Sequence, residues 1–107
     1  MQDVDRVYEV KIADTAWFQM MEHARFLANV SEEAANRLVD EFVAACGTLS
    51  AMPDRCPWLA HDAMPFQRYR KRFIGKYHLA LFEIRESTVY VSAVVDCRRD
   101  YAWLLLK

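Results

Sequence analysis

Hydrophobic period changes twice along this chain, and that double change restricts its folds more than any single motif. Tyr8, Val10 and Ile12 alternate with Glu9 and Lys11, the pattern of a strand with one buried face. From Asp14, read as an N-cap, the apolar residues Trp17, Met20, Met21, Ala24, Leu27 and Ala28 recur at helical spacing up to about Val30. Ser31 caps a second helix, and Glu32 and Glu33 suit the positive end of its dipole. Its seam of Ala35, Leu38, Phe42, Ala45, Leu49 and Met52 steps by threes and fours until Pro53 stops it. Only Asn29 and Val30 separate the helices, so they must turn back on each other as an antiparallel hairpin.

Prolines and an Asp-Arg-Cys-Pro turn signal mark Pro53 to Pro65 as an ordered, irregular connection. Strand signals then return in Arg68 to Ile74, Tyr77 to Arg85 and Thr88 to Asp96, broken at Gly75-Lys76 and Glu86-Ser87. Two successive hairpins make an antiparallel meander. The tail from Asp100 to Leu106, which holds Tyr101, Trp103 and three leucines, suits one closing helical turn on the sheet. The predicted order is β-α-α-β-β-β. It makes an α+β fold, a mainly antiparallel sheet of about four strands packed against an N-terminal helical hairpin.

With 107 residues, the expectation is one domain over 1–107, since a domain typically needs roughly 150 residues or fewer. A 54% hydrophobic content with two glycines and three prolines excludes a disordered or low-complexity chain. No apolar run approaches the roughly 18 residues of a membrane span, and Asp3, Asp5 and Arg6 stand where a leader would be apolar. A cytoplasmic location without a membrane partner is therefore expected. Cys46, Cys56 and Cys97 form no C-x-x-C, and His23, His61 and His78 have no paired spacing, so neither a disulfide framework nor a metal site is read here. His23 and His61 read as surface or capping residues, and Met20-Met21 as core filler.

Net charge is −1, but it is a cancellation. Residues 1–65 carry 5 Lys/Arg against 11 Asp/Glu, and residues 66–107 carry 9 against 4. The basic half holds Arg68, Arg70, Lys71, Arg72, Lys76, Arg98 and Arg99, and suits either a phosphate-binding face or a solvated strand.

This arrangement resembles the RelE/ParE superfamily, the toxins of bacterial type II toxin–antitoxin modules, over nearly the whole chain. The likeness rests on Tyr8-Glu9-Val10-Lys11-Ile12, on Phe26-Leu27-Ala28-Asn29-Val30-Ser31, and on Leu49-Ser50-Ala51-Met52-Pro53. It continues in Tyr69-Arg70-Lys71, Ile74-Gly75-Lys76-Tyr77-His78-Leu79, Val89-Tyr90-Val91 and Asp96-Cys97-Arg98-Arg99-Asp100-Tyr101. The resemblance implies a growth-inhibiting toxin neutralised by a cognate antitoxin in a hetero-oligomer. The function expected first is that of the branch similar to metal-independent, ribosome-associated mRNA endoribonucleases, with ribosome and mRNA as partners, and the second branch is the alternative. The other resembles ParE, which poisons DNA gyrase without nuclease chemistry. No cofactor is implied by either.

Cleaving RNA without a metal requires a deprotonated 2′-hydroxyl, fixed cations around the phosphorane and a proton for the leaving oxygen. Period-two geometry predicts Arg68, Arg70 and Arg72 on one face, with Tyr69, Lys71 and Phe73 on the other. The candidate catalytic set, by resemblance, is Arg70, Lys71, His78, Arg98 and Tyr101. His78 is the proton donor, Arg98 stands at the scissile phosphate, and Tyr101 stacks on a base. Arg68, Arg72, Lys76 and Arg99 are the candidate RNA-binding residues. The nuclease branch ends in a His-Tyr pair where this chain has Asp100-Tyr101, and Cys97-Arg98-Arg99-Asp100 is similar to the Gly-Arg-Arg-Asp ending of ParE-like members.

Overall fold

The changes of period become changes of element. A computed structural model describes residues 7–60 and 67–98. In chain order these form β1 (Glu9–Ile12), α1 (Asp14–Ala28), α2 (Glu32–Thr48), a 3₁₀ turn at Pro53–Arg55, β2 (Arg70–Ile74), β3 (His78–Arg85) and β4 (Thr88–Asp96). The expected closing turn at Asp100 to Leu106 lies outside the described residues.

Ser31 caps α2 as its residue type requires, its Oγ accepting the Ala34 N–H at 3.1 Å. At α1 the extended N-cap is Ala13, and Asp14 is the first helical residue, where its carboxylate meets the positive end of the dipole. The seam of α2 is buried from Ala35 to Leu49, but the helix ends at Thr48 and Met52 lies beyond it with φ 50°. The Thr48 hydroxyl donates to the Ala45 carbonyl and the Ser50 hydroxyl to that of Gly47, so two side chains take acceptors that another helical turn would have used. Of the two adjacent methionines, Met20 is core filler and Met21 is exposed.

The sheet order is β1-β4-β3-β2. Two antiparallel hairpins join β2, β3 and β4, as expected, but β1 pairs with β4 in parallel and the sheet is therefore mixed. Two reversals leave β2 and β4 running the same way, and the connection before β2 brings the chain back so that both share the direction of β1. That connection also covers the free edge of β2: Leu59 N–H donates to the Tyr69 carbonyl and Lys71 N–H to that of Pro57. Strand β2 begins at Arg70 rather than Arg68, because Gln67 takes a left-handed φ of 52° just before it.

Core packing lies mainly between the hairpin and one sheet face, where Met20, Leu38, Phe42, Leu49, Ile74, Phe82, Val89, Val91 and Val94 form one buried cluster. Phe42 is fully buried, with Trp17 edge-on to it at 5.0 Å between ring centroids. Leu59, Tyr69, Leu79, Leu81, Ala93 and Val95 form a second cluster. The register pairs Arg72 with Ala80 and Lys71 with Leu81, so the two basic residues leave the sheet on opposite faces, that of Arg72 being the helix side.

Candidate functional site

A bulge positions the first group of candidate residues. Leu81 pairs with Ala93 but Phe82 with Val91, which leaves Ser92 as an extra residue in β4. Helix α1 uses the backbone groups that this exposes: Thr15 donates its hydroxyl to the Ser92 carbonyl at 3.4 Å, and Gln19 Oε1 accepts the Val94 N–H at 2.8 Å. Thr15, Gln19 and His23 are four residues apart, one polar row along the helix. The row ends with the His23 ring edge-on to the ring of His78, centroids 4.8 Å apart.

His78 opens β3 directly opposite Asp96 at the end of β4. Asp96 is nearly buried and accepts three hydrogen bonds from Arg98: from the backbone N–H at 2.9 Å, from Nε at 2.9 Å and from Nη2 at 2.7 Å. Those bonds hold the Asp96 carboxyl well below the usual carboxylate range, against the opposing effect of its burial. The same pairing raises the Arg98 pKa. Arg98 also lies over the Tyr77 ring, 4.1 Å from its centroid. Burial first, then the neighbouring His23, push His78 below its ordinary value, so the imidazole is neutral at pH 7. A cavity of about 540 Å³ opens here, walled by Phe26, Leu27 and Val30 of the helical hairpin and floored by His23, His78, Asp96 and Arg98.

Four residues along the sheet, about 13 Å by strand rise, Arg70 is placed differently. Its Nη1 donates to the carbonyls of Asp54 at 3.0 Å and Cys56 at 2.7 Å, and its guanidinium stacks 3.9 Å over the Trp58 ring. Arg70 thus clamps the connection against β2. Arg72 donates from Nε to Thr48 Oγ1 at 3.4 Å and from Nη1 to the Phe73 carbonyl at 3.2 Å. Arg68 lies before the strand, paired with Glu83 at 3.0 Å. The expected row of three like charges is therefore replaced by three arginines with separate partners. Lys76 sits in the β2–β3 turn, its Nζ 5.9 Å from the Tyr77 ring centroid.

Of the sequence candidates, His78 and Arg98 come together, Arg70, Lys71 and Arg72 group elsewhere, and Tyr101 and Arg99 lie outside the described residues. Sequence reasoning passed over three participants. Asp96 read only as a strand end, and Trp58 as part of an irregular connection. His23 read as a surface residue, although its spacing from Met20 and Leu27 places it on the buried side of α1. Among the described residues, no group of three or more His, Cys, Asp or Glu is placed to hold a metal ion. All three thiols are free.

A family model described as "ParE toxin of type II toxin-antitoxin system, parDE" matches residues 10–101. The comparison with curated proteins returns no match. Among solved structures, a chain of the "Chromosomal ParDE TA system from P. aeruginosa" superposes with a TM-score of 0.68 at 12% identity. The match covers 84% of this chain and 96% of that one, and at such identity the likeness is one of fold.

Proposed function

This chain belongs to the ParE toxin family of type II toxin–antitoxin systems, and from that premise we propose that it arrests growth by poisoning DNA gyrase, with no bond-breaking chemistry of its own. The supporting observation is the separation of the candidate catalytic groups. General acid–base cleavage needs a proton donor, a base and a phosphate clamp within reach of one scissile bond. Among the described residues, His78 and Arg98 face Asp96 and His23, while Arg70 is tied to two backbone carbonyls about 13 Å away. A neutral His78 has no proton to donate from an imidazolium, and two of the Arg98 guanidinium nitrogens are already taken by a carboxylate. Such groups suit a shaped, partly charged protein-binding surface better than a phosphoryl-transfer site.

A cognate antitoxin is the partner the family implies. Trp17, Phe18 and Met21 are exposed apolar residues on one side of α1, and Phe26 and Val30 are exposed at the wall of the His78 cavity. Single exposed hydrophobics are ordinary, but five large ones on one helical hairpin suit a partner. An amphipathic antitoxin segment that folds on the hairpin would cover these residues, within a cytoplasmic hetero-oligomer.

Induction in a tolerant host, with transcript ends and DNA double-strand breaks followed in parallel, tests the function. Breaks without transcript cleavage are expected, together with trapping of purified gyrase on DNA. Transcript cleavage without breaks overturns the reading in favour of an mRNA endoribonuclease, whose candidate residues remain Arg70, Lys71, His78, Arg98 and Tyr101.

A further inference from the structure

The connection and β2 border a second cavity, of about 410 Å³. Arg55 of the 3₁₀ turn and Lys71, Arg72 and Phe73 of β2 line it along the edge of the strand, Arg72 from the helix face of the sheet and Lys71 from the other, together with Cys56. Among the described residues lining it none is acidic, and neither Arg55 nor Lys71 has a carboxylate partner among the described residues. Among the described residues, Arg72 donates to a hydroxyl and a carbonyl, both neutral. Burial raises the pKa of the Cys56 thiol; Arg72, Arg70 and Arg55 are all close enough to act against it, and the single carboxylate of Asp54 acts with it. Positive potential therefore converges here, on a chain of net charge −1.

We propose that this cavity is a contact site for the phosphate backbone of duplex DNA, formed by Arg55, Lys71 and Arg72. The assignment rests on the gyrase reading, because a toxin acting on gyrase works beside the DNA that the enzyme holds. Charge complementarity favours a polyanion. An acidic peptide would bind most simply by adding a strand to β2, but the residue Tyr69 to Lys71 stretch of that edge is already taken by Pro57 and Leu59. Guanidinium forks at Arg55 and Arg72 suit phosphate oxygens, and Lys71 adds a point charge. Three such contacts carry no base information, so binding is insensitive to sequence and strongly dependent on salt.

Anisotropy of a short labelled duplex, titrated with toxin released from its antitoxin, tests the site. The logarithm of affinity is expected to fall linearly with that of salt concentration, and Arg55→Ala and Lys71→Ala should each reduce the slope by about 0.9. Both variants should keep the parent's thermal midpoint, and Arg37→Ala, on α2, should bind DNA as the parent does. Four results overturn the proposal: no binding at low salt, parental slopes in both variants, tighter binding of single-stranded RNA, or equal displacement by polyglutamate at matched charge. Gyrase trapping by the same preparations keeps the two readings apart. A parent that traps gyrase without binding free duplex defeats this site alone, and one that binds duplex without trapping gyrase defeats the proposed function alone.

Discussion

Two clusters of basic residues lie on the same sheet, one at the paired ends of β3 and β4 and one along β2, and they are compensated differently. At the mouth of β3 and β4, Arg98 is matched by Asp96, stacked on Tyr77 and set beside a neutral His78. At β2, Arg55, Lys71 and Arg72 face a cavity with no acidic residue among its described lining. One cluster has resolved its charge within the fold, and the other has no carboxylate partner among the described residues. A count of arginines along the sequence does not distinguish the two, because compensation depends on which elements approach from the side. The end of β4 supplies the Asp96 carboxylate to one cluster, and among the described residues the other meets carbonyls and a hydroxyl.

Arg70 belongs to the second region but is locked in place, and its removal is expected to have the largest effect. Arg70→Ala deletes two charge-assisted hydrogen bonds to the Asp54 and Cys56 carbonyls together with the stack on Trp58. Loss of about 2–3 kcal/mol is expected in denaturant unfolding, because bonds of this kind contribute more than neutral ones. A change below about 0.5 kcal/mol would show that the connection holds to β2 without this clamp, and that Arg70 is as open as Lys71.

In the first region, Gln19→Ala should cost about 1–2 kcal/mol, since the Val94 N–H at the bulge loses its acceptor in a buried position. Helix α1 should also lose its registration on β4, which shows as a weakened coupling between the His23 and His78 resonances. If stability falls while that coupling survives, the polar row of Thr15, Gln19 and His23 is not what delivers the histidine.

Much of this was legible beforehand, and what was not has definable reasons. Spacing located both helices, the Ser31 cap and the meander, because each rests on contacts within a few residues. Alternation in Tyr8 to Ile12 gave a buried face but no partner, so the parallel pairing of β1 with β4 could not be read; pairing direction depends on the return path of a connection without periodicity. The end of α2 was placed too late because the hydroxyls of Thr48 and Ser50 compete with the backbone for carbonyls. At the sites, the residue types at Arg70, Lys71, His78 and Arg98 were visible, but their grouping was not. That grouping depends on Asp96, Trp58 and His23, residues that carry no motif and matter only through the partner they face.

Lys71→Ala sharpens the contrast between the regions by its lack of structural cost. No compensated ion pair is broken among the described residues, so stability should change by less than about 0.5 kcal/mol. Toxicity on plating should nevertheless fall, with antitoxin binding retained. Full toxicity would mean that the uncompensated cations at β2 form a solvated surface and nothing more.

The smallest effect at neutral pH, and the most selective for the first region, is expected at His78. Burial and the adjacent His23 lower its folded pKa below the ordinary 6.5, while Asp96 acts in the opposite direction and Arg98 in the same one; Glu22 lines the cavity wall. The unfolded chain therefore takes up a proton at a higher pH than the folded one does. Stability from the neutral imidazole is fully present above about pH 6.5 and is lost as pH falls toward the lower folded value. Asp96, also lowered, adds a loss of the same sign only near and below its ordinary 3.8, so the two groups act in separate windows. Thermal midpoints of the parent should decline between about pH 7 and pH 5, whereas His78→Gln, which cannot titrate, should match the parent at pH 7.5 and decline less. Equal slopes in the two proteins would place the titrating group elsewhere and leave the His78 end of the sheet as insensitive to protons as the arginines of β2.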